Sequence, residues 1–333
     1  MNNNKQNIFN KLENAILNAQ DIPEKDKQEI FQNIGRLKNN RLNILITGAT
    51  GCGKSSTINA LFNMDIAKVG VGVNPETMDI EKYELGNMVL WDSPGLGDGK
   101  EADNRHAKNI IKKLNELDEK NHPLIDLVLV ILDGSSRDMG TSYQLINEII
   151  IPNLGKEVSS RLLIAINQAD MAMKGRGWDM EANKPQPVLQ NFLDEKADSV
   201  KRRIKEATGV DVEPIYYSAG FTEDGIQQAP YNLSKLMYLI VQATPSDKRV
   251  IYVDTANKDP EVWKSSDEQK RYTEETKKTV ERSLMKSLGA AAAGAYTGYK
   301  IGSTIGSFLG PVGRAAGGVI GAIGGAIAGF FGW

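Results

Sequence analysis

The sequence "GATGCGKSST", residues 48–57, follows the apolar run "LNILIT" and precedes "INALF". Its spacing is G-x-x-x-x-G-K-[ST], and its flanks predict a buried strand before it and a helix after it. Glycines in such a loop let backbone N–H groups converge on phosphate oxygens at a helix N-terminus. The stretch therefore predicts a phosphate-binding loop rather than an ordinary glycine-rich turn. Its candidate contact residues are Gly48, Thr50, Gly51, Cys52, Gly53, Lys54, Ser55 and Ser56.

Around this loop, residues 41–245 alternate short apolar runs with amphipathic stretches. This alternation is typical of a buried parallel sheet with crossover helices. The stretch "DIEKYEL", just before "GN" and "MVLW", predicts an antiparallel edge strand. The expected fold is an α/β, doubly wound, mostly parallel sheet with helical N- and C-terminal extensions. The apolar runs are "LNILITG", "NMVLWD", "LIDLVLVILD", "RLLIAINQ" and "EPIYYSA".

Composition divides the 333 residues into four zones. Residues 1–40 carry apolar residues at helical spacing and predict a helical hairpin against the next domain. Residues 41–245 form the α/β domain, and residues 246–287 predict a charged helical connector. From residue 288 the composition changes to Gly, Ala and Ile, and we treat 288–333 as a separate helical hairpin.

Composition also excludes several classes of function. The net charge is −2, so no global basic field points to a specific nucleic acid. The first residues, "MNNNKQN", lack the apolar core of a secretory signal. The single cysteine, Cys52, excludes an internal disulfide and fits a reducing cytoplasm. His106 and His122 stand apart from any Cys or His cluster, which argues against zinc.

Several residues in and after this loop are of the types that bind a phosphate chain and its metal ion. Lys54 would reach the β- and γ-phosphates of a nucleotide, and Ser55 would ligate Mg²⁺. In "MVLWDSPG", Asp92 could hold Mg²⁺ through water, and the Gly95 N–H could sense the γ-phosphate. Thr77 is the only threonine between residues 57 and 141. It is therefore the candidate second metal ligand, with an ordinary surface-loop threonine as the alternative.

The segment "AINQADMA" predicts which base is bound. Asn167 and Asp170 lie at the end of an apolar strand with the spacing N-x-x-D. A carboxylate there can accept hydrogen bonds from guanine N1–H and N2–H₂, whereas adenine has neither donor. Ser218 and Ala219, after "PIYY", fit a loop whose Ala219 N–H meets guanine O6. The expected ligand is therefore a guanine nucleotide.

The motifs "GATGCGKSSTINALF", "DSPG", "NQAD" and "SAG", in this order, resemble the Era-like branch of the Ras-type P-loop GTPases. Among these, bacterial and often prophage-encoded members with an "NQAD" base motif are the most similar. The resemblance covers about residues 41–245 and implies a Ras-like G domain, GTP or GDP with Mg²⁺, and slow hydrolysis coupled to ordering of the switch loops. It also implies catalytic roles for Lys54, Thr77 and Gly95.

Three departures from the family pattern bear on catalysis. Gln168 stands where the family usually has Lys, so its stem can cover guanine without the cation. Leu96 follows Gly95 where Ras-like enzymes carry a water-orienting Gln. Gly51 stands where potassium-using members carry Asn. We therefore expect a catalytic group supplied in trans by G-domain dimerisation, as in septins and plant outer-envelope receptors. The candidate arms are Arg105, Arg137 and Arg176.

Two further side chains allow alternative interpretations. Cys52 lies near a predicted helix N-terminus, where a thiol pKa tends to fall. It is interpreted mainly as a tolerated variable position, with sensitivity to oxidation as the alternative. Trp178 lies in the loop insertion "MKGRGWDMEANKPQPV" and either packs on the core or caps the nucleotide, with packing favoured.

The tail carries two ladders in which glycine recurs every four residues, on either side of Pro311. Small residues at this spacing let helix backbones approach closely, as in packed membrane helices. Each arm is about 20 residues, enough to cross an apolar core. Lys300 and Arg314 favour regulated or shallow insertion at the inner membrane over a permanent span. A disordered tail or a buried soluble hairpin is the alternative. The ladders are Gly294, Gly298, Gly302, Gly306 and Gly310, then Gly313, Gly317, Gly321, Gly325 and Gly329.

Three functions follow from these patterns. The first is a GTPase whose nucleotide-dependent homodimerisation controls a lipid-seeking hairpin at 288–333. The second is a slowly hydrolysing, GTP-gated scaffold, consistent with Leu96 and Gln168. The third, a ribosome-assembly GTPase, is disfavoured because no glycine lies between Gly225 and Gly289, which excludes the G-x-x-G loop of a KH domain there.

Overall fold

A computed structural model describes residues 7–18, 22–62, 80–97, 99–223 and 226–289. Its centre is a six-stranded sheet with the order β2-β3-β1-β4-β5-β8. Strand β2 is antiparallel to β3, and every other pair in this sheet is parallel. The strands are β1 Leu42–Gly48, β2 Glu81–Leu85, β3 Met88–Asp92, β4 Leu127–Asp133, β5 Leu162–Asn167 and β8 Ile215–Tyr216.

Burial explains why these runs form strands. All seven residues of β1 are buried, as are six of the seven in β4, so both faces of the central strands are covered by helices. The predicted doubly wound α/β sheet is confirmed, and "DIEKYEL" contributes the antiparallel edge strand β2. Parallel register aligns the carboxyl ends of the strands, pairing Ile46 with Asp92 and Asp133 with Asn167. Polar residues that follow the apolar runs therefore collect at one edge of the sheet.

Helices cover the two faces of the sheet with separate sets of buried side chains. One set draws on the N-terminal helices, the helix after β1 and the C-terminal helices; the other draws on the helices that follow β3, β4 and β5. The α-helices are α1 Ile8–Asn18, α2 Glu24–Lys38, α3 Lys54–Phe62, α4 Lys100–Leu114, α5 Gly140–Gln144, α6 Ile151–Asn153, α7 Val158–Arg161, α8 Pro187–Thr208, α9 Leu233–Ala243, α10 Tyr252–Thr255 and α11 Tyr272–Leu288. A π-helix spans Leu145–Ile150, and 3₁₀ helices span Gly155–Glu157, Ala169–Gly175, Arg249–Ile251 and Pro260–Trp263.

Two short antiparallel ribbons of two strands each lie in the loops. Strands β6 Trp178–Asp179 and β7 Lys184–Pro185 pair within the insertion after β5, and β9 Phe221–Glu223 pairs with β10 Ile226–Gln228. The ring of Trp178 is 8% exposed and meets Tyr231 edge-on at 5.3 Å between centroids. Trp178 thus packs on the core, as favoured from the sequence.

The C-terminal segment packs on the sheet domain through buried side chains. Helix α11 lies against α9 and α2, with Val280, Leu284 and Leu288 at most 1% exposed. Lys248 forms an ion pair with Asp126 at 2.6 Å, and Asp126 also accepts a hydrogen bond from the backbone N–H of Asn43 in β1. The charged stretch around residues 246–287 therefore contributes to the same core as the sheet.

The glycine ladders of the tail lie outside the described residues. Within the described part of the chain, no helix combines the length and the apolar character that crossing a bilayer requires. The chain leaves α11 at Gly289, which lies against Glu29 and Asn33 of α2.

Candidate functional site

The loop between β1 and α3 forms the centre of the candidate site. Gly51 and Gly53 adopt φ angles of 80° and 86°, in the left-handed region that favours glycine. A Cβ on Gly53 would lie inside contact distance of the side-chain amide of Asn167. Only glycine therefore lets the loop approach the end of β5 this closely.

Lys54 and the two serines after it form the first turn of α3. The Lys54 ammonium donates to the carbonyl oxygens of Gly48 and Ala49, each at 3.3 Å. Both bonds are long, so a phosphate oxygen can replace them with a stronger, charge-assisted contact. Ser55 and Ser56 are partly exposed on the same turn, within the positive end of the helix dipole.

Asp92, the last residue of β3, is the clearest candidate for a cation ligand. Its Oδ1 is buried and has no hydrogen-bond partner among the described residues. Burial raises the pKa of this carboxyl to about 6, the Lys54 ammonium lowers it in part, and Glu81 adds to the rise. A buried carboxylate oxygen without a donor is an unusual and costly arrangement unless a cation satisfies it.

The turn after Asp92 packs tightly on the phosphate loop. A Cβ on Gly95 would collide with the backbone N of Thr50, and that N–H donates to the carbonyl oxygen of Leu96 at 3.4 Å. His106 is buried in α4, with its Nδ1 3.0 Å from the carbonyl oxygen of Gly95. The Leu96 side chain is 3% exposed and packs in the hydrophobic core.

The predicted base motif is bonded directly to the phosphate loop. The Asn167 side chain donates to the carbonyl oxygen of Cys52 at 3.0 Å. The Gln168 amide donates to the carbonyl oxygen of Gly51 at 2.9 Å, so its stem crosses the loop. Asp170 is 5% exposed in the 3₁₀ helix Ala169–Gly175. The structure therefore joins the phosphate loop and Asn167-Gln168 in one hydrogen-bonded unit.

The loop after β8 takes part through its backbone. Ser218 exchanges two backbone hydrogen bonds with Tyr231, each at 3.0 Å. The Ala219 N–H, expected at guanine O6, donates to Asn167 Oδ1 at 3.0 Å. That donor must therefore be shared with, or released to, any base that enters the site.

Lys196 is a residue of this region that the sequence did not single out. Its ammonium, half-buried on α8, donates to the carbonyl oxygens of Gly134 and Ser136, both at 2.6 Å. Gly134 in turn donates its N–H to the carbonyl oxygen of Asn167 at 2.7 Å. Lys196 thus holds the loop after β4 against the base motif. Isolated lysines on amphipathic helices are common, and no local pattern marks this one.

The expectation that the Cys52 thiol has a lowered pKa is wrong. Cys52 is fully buried, and burial raises the pKa of the thiol to about 11, although the Lys54 ammonium acts in the opposite direction. Desolvation of the thiolate outweighs the nearby positive charge. The thiol is therefore protonated at neutral pH, which removes the basis for oxidation sensitivity.

Four predicted residues stand apart from this hydrogen-bonded unit in what the structure describes. Thr77 lies outside the described residues. The three arginines considered as catalytic arms are exposed: Arg105 at the start of α4, Arg137 after β4, and Arg176 after the base motif. The structure does unite the phosphate loop, Asp92 with Gly95, and Asn167 with Gln168 and Ala219.

Residues 43–168 match the family described as 50S ribosome-binding GTPase. The match begins in β1, contains the phosphate loop and Asp92, and ends at Gln168. Together with the doubly wound sheet, it supports a P-loop GTPase.

Individual relatives are similar to parts of the chain. The protein YkfA of Escherichia coli strain K12 is 30% identical over 156 residues, 46% of this chain and 50% of YkfA. Mouse interferon-gamma-inducible GTPase 10 is 24% identical over 220 residues, 64% of this chain and 46% of that protein. The chain thus spans about half the length of these relatives. Toc33 of Arabidopsis thaliana, solved with GDP and Mg²⁺, aligns with a TM-score of 0.44 at 18% identity, covering 71% of this chain and 96% of Toc33.

Proposed function

We propose that this protein binds GTP with Mg²⁺ and hydrolyses it to GDP and phosphate. The observation that carries the proposal is the bonding of the phosphate loop to the base motif, through Asn167 to Cys52 and Gln168 to Gly51. A site built this way fixes the distance between phosphate-binding and base-binding groups before the ligand arrives. Such preorganisation lowers the entropy lost on binding a complete nucleotide.

Magnesium fits the residues present. The partnerless Oδ1 of Asp92 offers a buried anionic oxygen, and Ser55 offers a hydroxyl on the first turn of α3. In the proposal these two residues and Thr77 would hold the ion, which when bound offsets the negative charge of the β- and γ-phosphates. Lys54 binds the same phosphates as a point charge, and the Gly95 N–H donates to the terminal phosphate.

Guanine selectivity is assigned to the base motif. Asp170 would accept from N1–H and N2–H₂, and Asn167 would orient the loop that carries the Ala219 N–H. Because a buried carboxylate left without donors is costly, adenine should be rejected strongly. The stem of Gln168 covers one face of the base without adding a charge.

Hydrolysis by one copy alone is expected to be slow. Leu96 is packed in the core and has no group that could orient a water molecule, and Gly51 has no side chain to help hold potassium. We therefore propose that a second copy of the chain completes the site across the nucleotide face, with Arg105, Arg137 or Arg176 as the arm. A GTP-gated scaffold with little turnover is the alternative that the same two residues allow.

The output of the switch is proposed to be the tail. GTP-dependent dimerisation would bring two copies of residues 288–333 together, and their glycine ladders would then pack at an anionic lipid surface. The protein would act in the cytoplasm, peripherally or conditionally inserted at the inner membrane. A role in ribosome assembly remains the less favoured alternative. It requires an RNA-binding domain after the G domain, and no glycine lies between Gly225 and Gly289 to form the G-x-x-G loop of a KH domain.

Two variants test the nucleotide site. Lys54→Ala should abolish tight binding of every nucleoside triphosphate, whereas Asp170→Asn should shift preference from GTP toward XTP, because an amide can donate to xanthine O2. Both are measured by competition against a fluorescent guanine nucleotide. Unchanged selectivity for GTP over XTP in Asp170→Asn would show that the base site is assigned wrongly.

A further inference from the structure

Asn257 connects the C-terminal segment to the helix that begins at the phosphate loop. Its backbone N–H donates to the carbonyl oxygen of Leu61 at 2.8 Å, and its side-chain amide donates to that of Ala60 at 2.9 Å. Both carbonyls belong to the last turn of α3, where helix carbonyls lack partners within the helix. Asn257 is 5% exposed, so these bonds form away from water.

The cap is held in place by its own segment. The Oδ1 of Asn257 accepts from the backbone N–H of Asp259 at 2.9 Å, which fixes the orientation of the side-chain amide. The carbonyl oxygen of Asn257 accepts from the indole N–H of Trp263 at 3.2 Å, and Trp263 is 3% exposed. The segment that follows α10 therefore presents a rigid donor pair to α3.

Helix α3 carries this contact to the candidate site. It is nine residues long, with Lys54 and Ser55 in its first turn and the capped carbonyls in its last. A helix this short moves as a rigid body, so a shift at one end displaces the other. Asn257 lies outside residues 43–168, the stretch that matches the GTPase family.

We propose that Asn257 is a positioning residue for nucleotide binding, acting through α3 on Lys54 and Ser55. The inference rests on the proposed function, since it assumes that those two residues bind Mg·nucleotide. Donors at the C-terminal end of a helix and an anion at its N-terminal end both complement the helix dipole. Nucleotide binding and the Asn257 cap therefore reinforce each other, and this coupling is reciprocal.

Asparagine-to-aspartate substitutions provide a matched pair of variants. Asn257→Asp keeps the shape and the acceptor for Asp259, but it replaces the donor to Ala60 with a carboxylate oxygen. Asn33→Asp makes the same change at another helix end, because the buried Asn33 side chain donates to the last carbonyl of α11, that of Leu288, at 2.8 Å. Both variants should lower the melting temperature of the full chain, which controls for general destabilisation.

The deciding measurement is the Kd for Mg·GDP, by titration of the full-length protein. We expect Asn257→Asp to raise Kd about tenfold, the scale of losing a residue that orients a metal-binding group, and Asn33→Asp to leave it at the parent value. Hydrogen exchange adds a second readout: Mg·GDP should slow exchange at residues 252–263 in the parent and in Asn33→Asp, but not in Asn257→Asp. A purely structural cap would move the melting temperature alone.

Every other outcome counts against the inference. A parent-like Kd in Asn257→Asp, or an equal rise in both variants, would overturn the positioning role. If Asn257→Asp does not fold, Trp263→Phe decides, because it removes the donor to the Asn257 carbonyl and keeps an aromatic ring. It should raise Kd about threefold, the scale of one lost hydrogen bond, and an unchanged Kd refutes the proposal. A parent without affinity for Mg·GDP would overturn the proposed function, and this inference with it.

Discussion

Replacing Asp92 with asparagine should stabilise the nucleotide-free protein while impairing its response to Mg²⁺. The carboxyl of Asp92 has a buried, partnerless Oδ1, and burial raises its pKa from 3.8 to about 6. An acid whose folded pKa is raised favours folding below its unfolded pKa, and this contribution is lost as the pH rises through the folded pKa. At pH 7.5 the ionised Asp92 therefore destabilises the empty site.

The size of the effect follows from that shift. At 1.36 kcal/mol per pKa unit, ionised Asp92 costs about 2–3 kcal/mol of folding free energy at pH 7.5. For a chain of 333 residues, that corresponds to about 3–4 °C in melting temperature. The amide of the Asp92→Asn variant cannot ionise, so the variant should melt higher than the parent by about this amount at pH 7.5. The gap should close as the pH falls from 6.5 toward 4.5, where the parent becomes protonated.

Thermal melts by differential scanning fluorimetry in EDTA, at half-unit steps from pH 4.5 to 8, measure the difference in melting temperature and its dependence on pH. Asp133→Asn is the matched control, because Asp133 ends β4, on the other side of β1, but accepts hydrogen bonds from the N–H and hydroxyl of Ser135. That variant should melt at or below the parent. Adding Mg·GDP should stabilise the parent more than Asp92→Asn. An Asp92→Asn protein that melts below the parent at pH 7.5 would refute the reasoning.

Three further predictions address the loop, the rate and the tail. Gly53→Ala should weaken Mg·GDP binding by roughly a hundredfold, because the added Cβ would displace the Asn167 amide. Gly86→Ala is the control: a Cβ at Gly86, in the β2–β3 turn, meets no atom within 4 Å, so this variant should bind Mg·GDP like the parent. GTP turnover per molecule should rise between nanomolar and micromolar protein, and a flat, fast rate would exclude completion of the site in trans. Replacing Gly302 and Gly306 with leucine should abolish crosslinked oligomers on liposomes while lipid binding persists. Crosslinking like that of the parent would show that the glycine spacing reflects composition and not helix packing.

The features that could be predicted from sequence are those encoded locally. A buried parallel strand is a short apolar run, and the phosphate loop has a fixed spacing, so β1, the loop and α3 were predictable together. Asp92 followed because it ends the next apolar run, and parallel register then aligns it with Ile46 at the same sheet edge. The edge strand β2 was predictable from its turn.

Contacts between distant parts of the chain were not predictable. Lys248 and Asp126 are 122 residues apart, and Asn257 caps a helix almost 200 residues earlier in the chain. No periodicity or motif encodes such pairs, because each residue alone looks like an ordinary polar position. The alternative interpretation of Cys52, a thiol with a lowered pKa, failed for a related reason: the rule for thiols at helix N-termini is local, whereas burial of the thiol depends on the whole fold.

The departure at Gln168 shows how a single substitution can remove a charge but keep a contact. A lysine at this position could donate to the carbonyl oxygen of Gly51, and the Gln168 amide donates there at 2.9 Å. The residue also adopts φ 59°, so its backbone turns away from β5 while its stem lies across the loop. The link between base motif and phosphate loop is therefore retained without a cation. Because Asn167 makes a second link to the same loop, at Cys52, the site keeps its geometry and loses only the electrostatic attraction that a lysine would add.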